Sequence, residues 1–204
     1  LEEGDAHGVE ETRVAFLESL EKAGLDYWDL YLIHWPAPQQ NRFVEAWQAL
    51  IALREQGLVR SIGVSNFEPH HLQRLVDETG VAPVVAQVEL HPWLPQRSLR
   101  AAASAMGAAV ESWSPLARGH MLEAGSRELE VLTAVAGRHG KTPAQVALRW
   151  HVQQGLIVIP KSTSLARVAE NAAVFDFELT ATDMAEIAQL ETGERTGKHP
   201  DDLG

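Results

Sequence analysis

The chain has 204 residues, of which 45% are hydrophobic and 22% are charged, and it contains no cysteine. The missing cysteines exclude disulfides, thiolate nucleophiles, cysteine-ligated zinc and iron–sulfur clusters. With 17 lysines and arginines against 28 acidic residues, the net charge of -11 disfavours binding to nucleic acid or to an acidic membrane surface. The length predicts one domain over residues 1–204, and no apolar run is long enough to predict a membrane span.

Short apolar runs alternate with stretches of helical spacing along the chain. In chain order, the sequence predicts helix 9–23, strand 30–33, helix 43–56, strand 61–64, helix 69–79, strand 84–88, strand 108–113, helix 143–154, strand 156–159, a helix beginning near 165, and helix 183–191. Glycines follow several of the helices, as is typical of helix ends. The alternation predicts a parallel sheet covered by helices.

Two arrangements of such a sheet are open, a doubly wound sheet and a closed (β/α)8 barrel. The doubly wound dinucleotide fold favours G-x-G-x-x-G after its first strand, and the sequence lacks this pattern. Functional residue types instead follow several strands, as at the catalytic face of a barrel: His34, Ser65, Asn66, Gln87, Trp113, Ser114, Lys161 and Ser162. We therefore predict an α/β fold of the (β/α)8 TIM-barrel class. Because a barrel needs eight strands and about 250 residues, strands four to eight are expected here, and the first three βα units are expected to be missing from this chain.

Five ordered motifs carry a resemblance to a known family. They are LIHWP at 32–36, GVSNF at 63–67, QVELHP at 87–92, SWSPL at 112–116 and IPKS at 159–162. Together with the tail at 195–201, they resemble the aldo-keto reductase family, and in particular its bacterial 2,5-diketo-gluconate reductase-like members. The resemblance implies a TIM-barrel oxidoreductase that uses NADPH to reduce aldehyde and ketone carbonyls to alcohols by hydride transfer.

The resemblance also implies a catalytic role for one histidine. Family members work with an Asp, a Tyr, a Lys and a His, and only the His has a counterpart here, His34; the other three would lie before the first residue. A neutral imidazole at a strand end can donate a hydrogen bond to a carbonyl oxygen, and the alternative is a buried core histidine. Tyr27 and Tyr31 are interpreted as packing residues, and Trp35 and Trp93 as walls of the substrate pocket.

The nicotinamide end of the cofactor is assigned by the same resemblance. Ser65, Asn66 and Gln87 would hydrogen-bond the carboxamide, and Trp113 would stack on the ring. The alternatives are turn capping by the Ser-Asn pair and core packing by the tryptophan. The resemblance adds two more cofactor-binding residues, Ser114 and Leu116.

Lys161, Ser162 and Arg167 form a local basic patch in an acidic chain. Two cations, a hydroxyl and a helix N-terminus suit a phosphate. The resemblance assigns this patch to the adenosine 2′-phosphate, with Glu170 and Asn171 near the adenine and ribose. It therefore predicts NADPH in preference to NADH, and the alternative is a solvated charged face.

The nine histidines do not match a zinc-binding spacing. His70 and His71 are adjacent on a predicted helix and are expected to face different directions, so no metal is expected. Residues 119–125 are interpreted either as a mobile loop over the cofactor or as an ordinary surface loop.

The leading hypothesis is therefore a carbonyl reductase with a small-molecule substrate. Two alternatives are an inactive fragment and a cofactor-binding regulatory or partner protein on the same barrel. We expect no nucleic acid or membrane partner, a monomer, and a cytoplasmic location.

Overall fold

The computed structural model describes residues 8–202, in which helices and strands alternate along most of the chain. The helices are α1 (Val9–Ala23), α2 (Phe43–Glu55), α3 (Pro69–Thr79), α4 (Arg97–Ala105), α5 (Arg127–His139), α6 (Pro143–Val152), α7 (Leu165–Ala172) and α8 (Ala181–Ala188). The strands are β1 (Trp28–Ile33), β2 (Val59–Ser65), β3 (Val85–Glu89), β4 (Ala109–Trp113) and β5 (Ile157–Val158). Short 3₁₀ turns cover Ala117–Leu122 and Pro200–Asp202.

The five strands form a sheet in the order β1-β2-β3-β4-β5, so each strand lies beside its neighbour in sequence. The pairs β1–β2, β2–β3 and β4–β5 are parallel. The register places Ile33 beside Val64 and Ser65 beside Gln87. Parallel strands joined by helices confirm the predicted α/β class.

Glycines fix the ends of α1 and α3, and the predicted bounds of both helices match the observed ones. Gly24 and Gly80 have φ angles of 64° and 71°, a left-handed conformation that glycine adopts at little cost. The predicted helix 183–191 is wrong at its start, because Thr180 caps α8 by accepting a hydrogen bond from Asp183 N at 3.1 Å. The strand predicted over 156–159 is shorter, at Ile157–Val158.

The chain divides into two compact units. Of the described residues, the first unit contains 8–88, Arg97–Val110 and 198–202. The second unit contains Glu89–Gln96 and Glu111–Gly197. None of the helices within residues 8–202 combines the length and the apolar character that a membrane span requires.

The core of the first unit packs tightly around β2. Trp47 is fully buried, and its Nε1 donates to the Val81 carbonyl at 3.0 Å, so the indole is buried without an unpaired donor. A Cβ added at Gly63 would lie 2.6 Å from a Leu32 methyl group and 2.7 Å from the Val85 carbonyl oxygen. The strand therefore requires a glycine at this position.

In the second unit, α6 holds the C-terminal end of α7. Gln145 Nε2 donates to the carbonyls of Glu170 and Ala173 at 3.1 and 2.9 Å. Arg149 Nη1 donates to the Val174 carbonyl at 3.1 Å. These bonds satisfy carbonyls that a helix end leaves unpaired. None of the residues of α7 itself is buried, so the helix is attached mainly through this end.

Candidate functional site

Three predicted cofactor residues form a hydrogen-bonded group at β2 and β3, which we call the amide group. Asn66 Nδ2 donates to Ser65 Oγ at 3.2 Å, and Ser65 Oγ donates to Gln87 Oε1 at 3.1 Å. Ser65 and Asn66 are 2% and 4% exposed, whereas Gln87 is half-buried. Asn66 has a φ of 62°, a left-handed conformation that asparagine tolerates better than most residues. The amide group therefore presents fixed polar atoms, with Gln87 as its most accessible member.

His34 directly follows β1 and is tied to the amide group through its backbone. Its carbonyl accepts a hydrogen bond from Asn66 Nδ2 at 2.9 Å. His34 is exposed, and its ring centroid lies 6.0 Å from that of the half-buried Trp35. The alternative of a buried core histidine is therefore wrong. The Tyr31 ring packs 4.7 Å from Phe16, in keeping with its interpretation as a packing residue.

The second unit contains a cleft of about 360 Å³. Its lining residues are Ser114, Pro115, Leu116, Arg118, Ile159, Pro160 and Lys161, three of which are predicted cofactor residues. Arg118 and Lys161 are both exposed. Because the chain as a whole is acidic, two cations in one cleft make a local site for an anion. Sequence reasoning did not identify Arg118, since an arginine between a strand and a loop carries no signal of its own.

The turn after β4 brings Arg118 to the cleft. Ser114, Ala117 and Arg118 have φ angles of 49°, 48° and 56°, a costly left-handed conformation for residues other than glycine. Strained backbone of this kind is concentrated at ligand sites. The first part of the loop predicted over 119–125 belongs to the 3₁₀ turn Ala117–Leu122.

Four of the residues predicted to bind the adenosine end of the cofactor are not among those lining the cleft: Ser162, Arg167, Glu170 and Asn171. Arg167 is exposed in the first turn of α7, where Ser164 caps the helix by accepting from Arg167 N at 3.5 Å. Glu170 Oε1 accepts a hydrogen bond from Thr142 Oγ1 at 2.5 Å, so this carboxylate is engaged with the start of α6. Lys161 therefore lines the cleft, whereas the other residues predicted to bind the phosphate and the ribose lie on α7 or just before it.

Trp93 and Trp113 are both half-buried, and both contact the C-terminal segment 193–197. The Trp93 ring stacks on His120 at 6.4 Å, and its carbonyl accepts from Gly193 N at 2.8 Å. A Cβ added at Gly197 would lie only 2.8 Å from Trp113 Cη2. The backbone of the segment therefore lies directly against one edge of the Trp113 indole.

A buried carboxylate, Glu89, ends β3 and is 1% exposed. Its Oε1 accepts from Thr196 N at 2.6 Å and Thr196 Oγ1 at 2.5 Å, and lies 3.1 Å from His91 Nε2. Its Oε2 accepts from Gly197 N at 3.0 Å. Burial alone would raise the pKa of Glu89, but the hydrogen bonds from His91, Thr196 and Gly197 outweigh burial and lower the pKa to about 2. Glu89 is therefore ionised at neutral pH.

His70, His71 and Asp201 are close enough to raise the question of a metal site. Their Nε2 atoms lie 3.4 and 3.3 Å from Asp201 Oδ1, so the expectation that these histidines face different directions is wrong: both turn to one carboxylate. His71 Nδ1 accepts from the Glu68 backbone N–H at 3.1 Å, so the proton is on Nε2. Burial and the neighbouring His70 lower the pKa of His71 to about 4. The protonated Nε2 has no lone pair for a metal, and we assign no metal to this cluster.

Comparisons with known proteins agree with the motifs. Residues 4–192 match the Aldo/keto reductase family. An aldo-keto reductase of Mycolicibacterium smegmatis is 53% identical over 193 residues, which are 95% of this chain and 68% of the relative. The methylglyoxal reductase DkgA of Salmonella typhimurium is 52% identical over 192 residues, 94% of this chain and 69% of the relative. The crystal structure of a Gox0644 mutant in complex with NADPH is similar with a TM-score of 0.92 and 46% identity, over 98% of this chain and 73% of the other. These matches confirm the resemblance, and the chain belongs to the aldo/keto reductase family of NAD(P)H-dependent oxidoreductases.

Proposed function

We propose that this protein reduces aldehyde and ketone carbonyls to alcohols, with NADPH as the hydride donor. The observation that supports the proposal most is the cationic cleft of the second unit, because NADPH carries phosphates and the chain as a whole is acidic. A relative that is 52% identical is named as a methylglyoxal reductase, so methylglyoxal is a suitable first substrate to test. The relatives named above give no support to the alternative of a regulatory partner protein.

We assign the five strands to strands four to eight of a (β/α)8 barrel. The sequential strand order and the similarity to the NADPH complex over 98% of the chain support this assignment. In such barrels the active site lies at the C-terminal ends of the strands. His34, Ser65, Trp113 and Lys161 each end or follow a strand. The single domain over 1–204, the monomeric state and the cytoplasmic location stay predictions.

The amide group of the first unit suits the nicotinamide carboxamide. A carboxamide offers both an acceptor and donors, which match the hydroxyl and amide atoms of Ser65, Asn66 and Gln87. Their mutual hydrogen bonds fix these side chains before a ligand arrives, which lowers the entropy cost of binding. In the second unit, Trp113 offers a flat ring for stacking. The bound cofactor would supply the hydride.

Cationic groups of the second unit suit the phosphates. Arg118 and Lys161 lie in the cleft with Ser114 and Leu116 beside them. Arg167, at the capped N-terminus of α7, suits the 2′-phosphate, with Ser162 just before the helix and Asn171 near its end. A role for Glu170 at the ribose would use its second oxygen, because the first already accepts from Thr142.

His34 is the proposed catalytic residue. An imidazole N–H pointing at the carbonyl oxygen would stabilise the negative charge that develops there as hydride adds to the carbon. The exposed position of His34 at a strand end leaves it accessible to substrate, and the neighbouring Trp35 offers an apolar wall. Trp93 is the second proposed pocket residue. Neither Tyr27 nor Tyr31 matches the family's acid position, so we assign no proton donor to them.

The test is the affinity for NADPH and for NADH, measured by isothermal titration calorimetry on the parent chain and on Arg167→Ala. Loss of a charge-assisted contact with the 2′-phosphate should weaken NADPH binding about tenfold to hundredfold and leave NADH binding within about twofold. Arg127→Ala, an exposed arginine at the start of α5, is the matched control and should change neither affinity. An unchanged ratio of the two affinities in Arg167→Ala would refute the 2′-phosphate assignment. Failure of the parent chain to bind either nucleotide would refute the cofactor proposal.

A further inference from the structure

We propose that Glu89 is a positioning residue, which fixes the Trp113 ring by anchoring the tail residues Thr196 and Gly197 against it. The inference rests on the proposed function in one respect, the assignment of Trp113 as the ring on which the nicotinamide stacks. The Glu89 carboxylate forms hydrogen bonds with His91, Thr196 and Gly197, none of which is assigned to that site. It acts through the tail.

The anchor consists of hydrogen-bond donors that surround the buried Glu89 carboxylate. Two consecutive backbone N–H groups and one hydroxyl, all from Thr196 and Gly197, converge on the Glu89 carboxylate at 2.5 to 3.0 Å. His91, itself fully buried, contacts the same carboxylate from the strand side. Charge-assisted hydrogen bonds of this kind are roughly twice as strong as neutral ones. Glu89 therefore joins β3 to a segment that is 107 residues away in sequence.

The anchored segment packs closely against Trp113. A Cβ at Gly197 would lie 2.8 Å from Trp113 Cη2, 3.2 Å from Glu89 Oε2 and 3.6 Å from Arg118 Nη2. Gly197 is thus required by close approach. The space beside Gly197 is bounded by the Glu89 carboxylate, by the indole and by a cation of the cleft. A shift of the tail toward these groups by one methyl radius would therefore have to move the ring or the guanidinium.

The charge of Glu89, and not only its shape, matters for this anchor. A glutamine at this position has the same size but keeps only one acceptor oxygen, and its NH₂ would face an N–H of the tail. Two donors facing each other leave a buried polar group unpaired, which costs more than a lost hydrogen bond between neutral groups. Glu89→Gln should therefore release the tail without creating a cavity.

The experiment measures the tail and the ring separately in the full chain. Hydrogen exchange followed by NMR reports the amides of Thr196 and Gly197, and 5-fluorotryptophan labelling reports Trp113, with its ¹⁹F signal identified from Trp113→Phe. In Glu89→Gln we expect the two amides to exchange at least about tenfold faster, while amides of β2 stay protected. The Trp113 signal should shift, and NADPH affinity should fall about tenfold. Glu194→Gln, the same change at an exposed position just before the tail, is the control and should show none of these effects.

Gly197→Ala is the second variant, and it covers the case in which Glu89→Gln fails to fold. Its added methyl pushes the tail from the ring side, so the Trp113 signal should shift and NADPH affinity should fall, with the Glu89 carboxylate intact. Unchanged exchange and an unchanged Trp113 signal in Glu89→Gln would overturn the anchor. A shifted ring with unchanged NADPH affinity would overturn its role in positioning. If the parent binds no NADPH, the proposed function fails, and a displaced tail and ring in the variants would still establish the anchor.

Discussion

Asp183 gives the sharpest stability prediction, because a buried carboxylate joins two helices of the second unit. Asp183 is 1% exposed on α8. Its carboxylate accepts from Arg138 Nε at 2.9 Å and lies 2.9 Å from His139 Nε2, both at the end of α5. It also accepts from Thr180 N and Oγ1 at 2.8 and 2.7 Å. Burial would raise the pKa of Asp183, but hydrogen bonds from Thr180, His139 and Arg138 outweigh burial and hold the pKa well below its usual range.

Asp183→Asn should lower the free energy of unfolding by about 3 kcal/mol at neutral pH, since it leaves several donors facing an amide. This is the lower end of the range for a broken buried ion pair, because the Arg138 side chain is 44% exposed and keeps some hydration. The matched control is Glu186→Gln: Glu186 lies 2.7 Å from the same Arg138, but its side chain is 40% exposed. The control should lose less than about 1 kcal/mol. Urea unfolding followed by circular dichroism measures both losses.

The pH dependence of this effect has a definite sign. Because the pKa of Asp183 is depressed in the folded state, its stabilisation is fully present above the unfolded pKa of about 3.9 and is lost as the pH falls below it. The difference in stability between the parent and Asp183→Asn should therefore shrink below about pH 4. Equal losses in Asp183→Asn and Glu186→Gln, or a difference that does not change with pH, would refute the reasoning.

Two further pairs of variants test the fold. Gly63→Ala should destabilise the chain by about 2 kcal/mol or more, because the new methyl would lie 2.7 Å from the Val85 carbonyl oxygen. Gly137→Ala, within α5, should instead stabilise the chain by about 0.5–1 kcal/mol, because nothing lies within 4 Å of its new methyl. Thermal unfolding should therefore show changes in melting temperature of opposite sign. Thr142→Ala should cost about 2 kcal/mol, because its hydroxyl both caps α6 and donates to a carboxylate of α7. Ser126→Ala, which removes only the cap of α5, should cost about 1 kcal/mol. Equal losses of stability in Thr142→Ala and Ser126→Ala would contradict a contribution from the hydrogen bond between Thr142 and Glu170.

The sequence predicts the bounds of an element well where a local signal marks at least one of its ends. Gly24 and Gly80 end α1 and α3, and Pro69 begins α3, so their bounds can be predicted to the residue. α4 has no such signal: residues 101–110 are mostly small, and a run of alanines has no clear helical period that would separate the helix from β4. The 48-residue interval between Trp113 and Lys161 leaves room for a helix besides the predicted 143–154, and α5 occupies it.

The same distinction applies to the site. Ser65 and Gln87 could be grouped from the sequence, because adjacent parallel strands place the residues near their C-terminal ends together, and the register confirms that they are neighbours. Glu89 and Arg118 could not be assigned. The tail partners of Glu89, Thr196 and Gly197, are more than a hundred residues away, and Arg118 reaches its cleft only through left-handed backbone at a non-glycine residue. Such contacts depend on three-dimensional packing that no periodicity encodes.

If the proposed role of Arg167 holds, the attachment of α7 through its C-terminal end makes the folding equilibrium of this helix part of the ligand affinity. A helix with no buried side chain loses little apolar contact when it opens, so it should open at lower free energy than a packed helix such as α2. If Arg167 binds a phosphate from the first turn of α7, only the closed helix is competent, and binding and helix formation stabilise each other. The intrinsic helix propensity of exposed α7 residues then sets part of the binding constant, from positions that never touch the ligand.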